Sequence, residues 1–494
     1  MNQMKAKISF FLLIVSMPVI IGVNILFNNK SVKDDLTFYC AAGLRLPIEE
    51  IVKDYENEYG IKINIQFGGS GTLLANLEAS AKGDLYLAAD SSYTNLASEK
   101  GLVIETIPIC ELKAGLVVKK GNPLKLKSLK DCLDSDSARI ALANPEAASV
   151  GKLTKNVLTQ LNLWDPLSKK SLVMKPTVNE VANSIKVDAA DVGIVWDVIA
   201  SQYDELDFVN LDEFNSKTRT VTLGLLESSN NKPNAMKFAR YLSSIDKGQK
   251  ALSKYGYKII EGDKWEDKPN VVLFTGAMLN PAIKQSMEKF EEREGVKISV
   301  VPNGCGILVS QMKAGARPDA YFSCDLSFMD DVQEMFSSPV TVSQNDMIIL
   351  VNKKASDRIS KIDDLTKPGI RVGLAHPEKS ALGALTVNLL NSLEIKLGDN
   401  LELNSATGDF LVNKLRAGSL DAGIVYKSNA LANPTTLDDC VIVEINSPLA
   451  TALQPFAIGL ESNQKNLMER LFKSFTSEMA RSDFEKIGFK WMIK

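Results

Sequence analysis

Apolar positions along the chain fall into two periods. In KINIQF, Ile63, Ile65 and Phe67 alternate with polar residues, the period-two pattern of a strand with one buried face. Ahead of it, Ile48, Ile51, Val52, Tyr55 and Tyr59 recur at helical spacing behind Pro47, and proline favours a helix start. Short apolar runs such as RIALA at 139–143 and VGIVW at 192–196 read as central strands, each leading into a polar or glycine-containing loop. The alternation of strand and helix predicts an α/β fold with mostly parallel sheets. In such sheets ligands bind in the crevice at the carboxyl ends of the strands.

One apolar run has no period. Lys5 and Lys7 precede twenty uncharged residues from Ile8 to Phe27, long enough to span hydrocarbon. It lacks the small-residue cleavage pattern of a signal peptide, so residues 1–30 are expected to be an uncleaved membrane anchor, although Pro18 leaves a signal open. The positive-inside rule then puts the rest of the chain on the periplasmic or extracellular face of the cytoplasmic membrane.

The pattern also repeats. Residues 41–93 align without a gap on residues 276–328, with 16 of 53 positions identical, carrying Gly71 to Gly306, Asp84 to Asp319 and Asp90 to Asp325. Later landmarks keep their order: RIALANPEAASVGKL from Arg139 matches RVGLAHPEKSALGAL from Arg371, DVGIVWD from Asp191 matches DAGIVYK from Asp421, and KYGYK at 254–258 matches KIGFK at 486–490. A period this long is the duplication of a whole domain, because solenoid repeats are far shorter. The polar stretch EGDKWEDKPN separates the copies, giving modules over 36–262 and 270–494 with 263–269 as linker.

Composition narrows the function. Lys plus Arg number 57 against 60 Asp plus Glu, so no overall positive field favours nucleic acid. The single histidine, His376, rules out multi-histidine metal sites and leaves any His-based acid–base chemistry to one position. The six cysteines show no CxxC spacing, and Asp84, Asp90, Asp319 and Asp325 read as acceptors of backbone N–H groups or helix caps. No cofactor is implied.

The segment FGGSGTLLANLEA runs from a strand through a glycine turn into an amphipathic helix, which sets Gly69, Ser70, Gly71 and Thr72 at a helix amino terminus. Free N–H groups and the helix dipole favour an anion there, and the Ser70 hydroxyl adds a donor.

The order AAGL, GGSGTL, GDLYLAAD, ALANPEAASVGKL, DVGIVWD resembles the periplasmic molybdate-binding proteins of bacterial ABC transporters, over nearly the whole of each copy. The resemblance implies two tandem type II periplasmic-binding-protein modules, each of two α/β lobes closing over a small anion, and it implies permease and ATPase partners. In that family serine hydroxyls, main-chain N–H groups and a late tyrosine hold a tetrahedral oxyanion. Carried over, those positions fall on Gly43, Ser70, Val150, Val178 and Trp196 in module one. In module two they fall on Met278, Cys305, Leu382, Gly408 and Tyr426.

Two alternatives to an importer receptor remain open on the sequence. One is a ligand sensor acting through a membrane partner. The other is soft-metal or sulfur-ligand binding in module two by Met278, Cys305 and Cys324, since thiolate and thioether select soft metals. Catalysis by Cys305 lacks a base, and its counterpart Ser70 stands in a copy without histidine, so no enzyme is expected.

Overall fold

The structure is a computed structural model that describes residues 35–493. Among them no helix is long and apolar enough to cross a membrane, and the expected anchor over residues 1–30 lies outside them. The chain divides into two compact units: one runs through Ala239 and resumes over Ala251–Ile260, and the other holds Arg240–Lys250 and everything from Glu261 onward.

In module one the helix Arg45–Tyr59 buries Pro47, Ile48, Ile51, Val52 and Tyr55 and stops at Gly60, whose φ of 70° suits glycine. The strand Ile63–Gly68 follows at the edge of the first sheet, with Ile63 buried and Phe67 covered by the Arg45 guanidinium 4.0 Å above its ring. Leu36–Ala41 pairs in parallel with Ile63–Gly68 and with Leu85–Ala88. Arg219–Leu226 then runs antiparallel between Leu85–Ala88 and Val103–Leu112. The second lobe is a five-stranded sheet, ordered Ser171–Lys175, Ile140–Ala143, Val192–Trp196, Ala114–Lys119 and Leu206–Asn210. The chain passes between lobes at Lys113 and again after Asn210.

Module two repeats this plan. Asn270–Gly276 pairs in parallel with Lys297–Asn303 and Ala320–Phe322, and Thr451–Ile458 returns antiparallel. Here one strand of 13 residues, Val340–Asn352, replaces the two that meet at Lys113. Its first half pairs with Thr451–Ile458 and its second half with Ala422–Tyr426, so both lobes share a ten-stranded sheet.

The expectation of mostly parallel sheets is therefore corrected to mixed sheets. The strands that carry the chain from lobe to lobe have to run back against the parallel ones. RIALA and VGIVW are central strands as read, fully buried over Ile140–Ala143 and Val192–Trp196. Each buried Leu, Ile or Val in these strands contributes about 1.5–3 kcal/mol.

Candidate functional site

In each module the strand ends of both lobes face a cleft. In module one three helices begin there: Ser70–Ser80, Ser149–Gln160 and Val178–Lys186. No side chain caps the first two, whose N-cap residues are Gly69 and Ala148. Thr177 caps the third, its hydroxyl accepting the Glu180 N–H at 3.3 Å. Three helix amino termini on one pocket concentrate positive dipole without any cationic side chain.

That pocket is lined by residues from all three helix starts and holds Gly43, Ser70, Val150, Val178 and Trp196 together, with no charged side chain among its walls. All five positions inferred for module one thus meet in space. Its volume is about 20 Å³, the scale of a water molecule. Ser70 is buried and its Oγ accepts the Ala89 N–H at 3.2 Å, which leaves its O–H free to turn to the pocket.

Two contributors escaped the sequence reading. Ser149 is 3% exposed, lines the pocket, and its hydroxyl has no hydrogen-bond partner. Tyr257, from the KYGYK segment, is buried and donates its hydroxyl to the Gly43 carbonyl, fixing that loop. Gly43 itself makes room: a Cβ there would stand 3.2 Å from Val178 Cγ1 and 3.8 Å from Trp196 Cδ1. The tight neighbour is Val178, while the contact with Trp196 would be an ordinary one.

The glycine turn is where the lobes touch. Gly71 N–H donates to the Ala147 carbonyl at 2.8 Å, and Tyr93 donates to the Pro145 carbonyl at 3.3 Å. A Cβ at Gly69 would overlap the carbonyl oxygens of Ala147 and Pro176. Glycine is required by this approach of backbone to backbone, since φ at Gly69 is an ordinary −69°.

Module two keeps the closure and changes the pocket. A Cβ at Gly304 would meet the Lys379 and Ala406 carbonyls, and one at Gly306 that of Glu378. Met278, Leu382, Gly408 and Tyr426 line its pocket, again of about 20 Å³. Cys305 does not. It is fully buried behind Cys324, which lines the pocket in its place, with the two sulfurs 2.6 Å apart. Met278 Sδ lies 3.5 Å from Asn345 Nδ2.

The same pocket contains a carboxylate, Asp409, whose Oδ1 accepts from Asn429 Nδ2 at 2.8 Å. Burial pushes its carboxyl above the ordinary value, opposed by the Asn429 bond. Asn429 fills the space that Gly408 leaves. Tyr426 is buried with an unpartnered hydroxyl, and burial raises its pKa. Among the described residues no group of three His, Cys, Asp or Glu is placed to hold a metal ion.

The four recurring aspartates bond the backbone. Asp90 and Asp325 cap helices, accepting from Ser92 N–H at 2.7 Å and Ser327 N–H at 3.0 Å. Asp84 and Asp319 precede strands and accept from Thr37 and Val272 N–H, both at 2.8 Å.

About half of the chain, the length of one module, matches known proteins. YvgL of Bacillus subtilis, named as an ABC transporter substrate-binding lipoprotein, is 29% identical over 46% of this chain and 86% of its own length. The molybdate-binding protein ModA of Escherichia coli is 26% identical over 45% of this chain and 89% of its own. Among solved structures, the periplasmic molybdate-binding protein of Azotobacter vinelandii covers 46% of this chain and 100% of its own at 20% identity and a TM-score of 0.40. The family model for bacterial extracellular solute-binding proteins matches residues 36–258 and again 271–490. With both copies matched nearly end to end, the chain belongs to the bacterial extracellular solute-binding protein family as two tandem modules.

Proposed function

We propose that the chain is the extracytoplasmic receptor of an ABC-type importer, and that module one closes over a small tetrahedral oxyanion of the molybdate and tungstate class. The observation that carries this is the convergence of three helix amino termini and the unpartnered, buried Ser149 hydroxyl on a pocket without charged side chains. Fixed N–H dipoles and neutral hydroxyls replace an anion's water, and a carboxylate would oppose it. In this reading Ser70 and Ser149 donate from their side chains, while Gly43, Val150 and Val178 offer main-chain N–H groups. Trp196 closes one wall. The lobes part to admit and release the ion. Hinge closure about the two crossovers then presents a surface to the permease and its ATPase. Residues 1–30 hold the chain to the membrane, and no reaction is catalysed.

Module two carries a different reading on the strength of Asp409. A partly buried carboxylate on the pocket wall repels an anion, so this module takes a different solute or serves the assembly.

The test is thermal unfolding of the full-length chain with molybdate, tungstate, sulfate and phosphate. A ligand at a hundredfold excess over its Kd stabilises by about 2.7 kcal/mol. One transition shifting with molybdate or tungstate, and shifting by at most about half as much after Ser70→Ala, supports the reading. No shift with any oxyanion overturns it.

A further inference from the structure

Module two departs from module one at three positions that meet at one point. Cys305 stands where module one has Ser70, Cys324 where it has Ala89, and Gly276 where it has Ala41. The backbone around them is unchanged. Cys324 N–H donates to Cys305 Sγ at 3.1 Å, just as Ala89 N–H donates to Ser70 Oγ at 3.2 Å. A Cβ at Gly276 would overlap Cys324 Sγ and stand 3.4 Å from Cys305 Sγ. The glycine therefore makes the room that the second sulfur occupies, and the sulfurs lie 2.6 Å apart, well inside van der Waals contact.

We propose that Cys305 and Cys324 form a disulfide in the wall of the module-two pocket, a modification site with no counterpart in module one. The proposal rests on the extracytoplasmic reading for its oxidising surroundings. The two S–H bonds break and one S–S bond forms. The electron pair passes to a disulfide donor such as glutathione disulfide, whose own S–S bond breaks, and the two protons leave on the donor's two thiols. Burial opposes ionisation of Cys305, but hydrogen bonds from Cys324 hold its thiol below the ordinary value, which favours the attacking thiolate. Oxidation leaves the pocket wall at Cys324 a sulfur without a proton. The remaining cysteines, Cys40, Cys110, Cys132 and Cys440, are each buried, and none shows a comparable sulfur contact among the described residues.

The experiment refolds the reduced full-length chain in a glutathione redox buffer, blocks free thiols, and maps linkages by peptide mass spectrometry. A single Cys305–Cys324 linkage is expected, and free, alkylated thiols at both positions would overturn the proposal. Gly276→Ala keeps both thiols and is expected to lower the linked fraction several-fold. Reductant should lower one unfolding midpoint of the wild-type chain by roughly 5–10 °C. The Cys305→Ser/Cys324→Ala variant, which restores the module-one pair, should show no such shift. The same mapping on chain quenched in acid directly from cells separates the two readings. A linkage formed in vitro with reduced thiols in cells leaves the pairing standing and overturns the extracytoplasmic location.

Discussion

Gly71 and Ala147 are joined by a backbone hydrogen bond of 2.8 Å that ties the glycine turn of one lobe to the opposite loop. A Cβ at 71 would overlap the Glu146 carbonyl oxygen beside it. Gly71 lies in the first turn of a helix, where alanine is intrinsically better by up to about 1 kcal/mol. Gly71→Ala should therefore leave the open module folded while blocking closure. The expected outcome is loss of the oxyanion-induced midpoint shift, with a normal unfolding transition in its absence. A retained shift would show that closure at this contact is not needed for binding.

Ser70 and Ser149 separate binding from folding. The Ser149 hydroxyl is buried without a partner, so Ser149→Ala should leave the ligand-free midpoint unchanged or slightly higher. Losing a donor to an ion costs about 1.5–3 kcal/mol, or about 10- to 150-fold in Kd by titration calorimetry. Ser70→Ala should weaken binding similarly and also destabilise the free module by about 1 kcal/mol, because the Ala89 N–H loses its acceptor.

The fold and most of the module-one site were legible in the sequence for a physical reason. The order of strand-end motifs keeps its register with the molybdate-binding family, so positions such as Gly43, Val150 and Val178 could be carried over from that resemblance and do meet at one pocket. What register does not reveal is side-chain direction. Val150 was singled out for its main-chain N–H, while the hydroxyl beside it on Ser149 went unweighed. Asp409 and Asn429 were hidden in the same way, next to Gly408 and three residues beyond Tyr426, although both line the module-two pocket. Cys305 aligned correctly with Ser70 yet lies behind Cys324, which no offset distinguishes from a residue facing the ligand. The sheets were read as parallel because apolar runs report burial and carry no sign of strand direction.

Asp409 gives module two a pH signature. Burial raises its carboxyl above the unfolded value, so the folded state holds the proton more tightly. Its contribution to stability is full below the unfolded value and is lost as pH rises through the folded one. Asp409→Asn keeps an acceptor for Asn429 and removes the partly buried charge. The module-two midpoint should rise by roughly a few degrees at pH 7, with the gain shrinking toward pH 3. An equal gain at both pH values would mean that ionisation is not its cause.

Glu294 supplies the opposite sign in the same unit. It is fully buried, with Arg470 bonding both its carboxylate oxygens at 3.0 Å and Arg293 reaching one of them at 3.0 Å. Burial opposes its ionisation, but the arginines win and hold the carboxyl below the ordinary glutamate value. A depressed folded value means that this stabilisation is complete above the unfolded value, about 4.3, and is lost as pH falls through the folded one. Glu294→Gln leaves Arg470 buried without its counter-charge, a change that typically costs about 3–5 kcal/mol. In denaturant titrations the module-two transition of the variant should be weakened by that amount at pH 7. The difference from wild type should narrow as the pH is lowered below about 4, because protonation then removes the same charge from the wild-type chain. A gap that stays constant to acid pH would show that lost packing, and not the lost ion pair, is what the substitution costs.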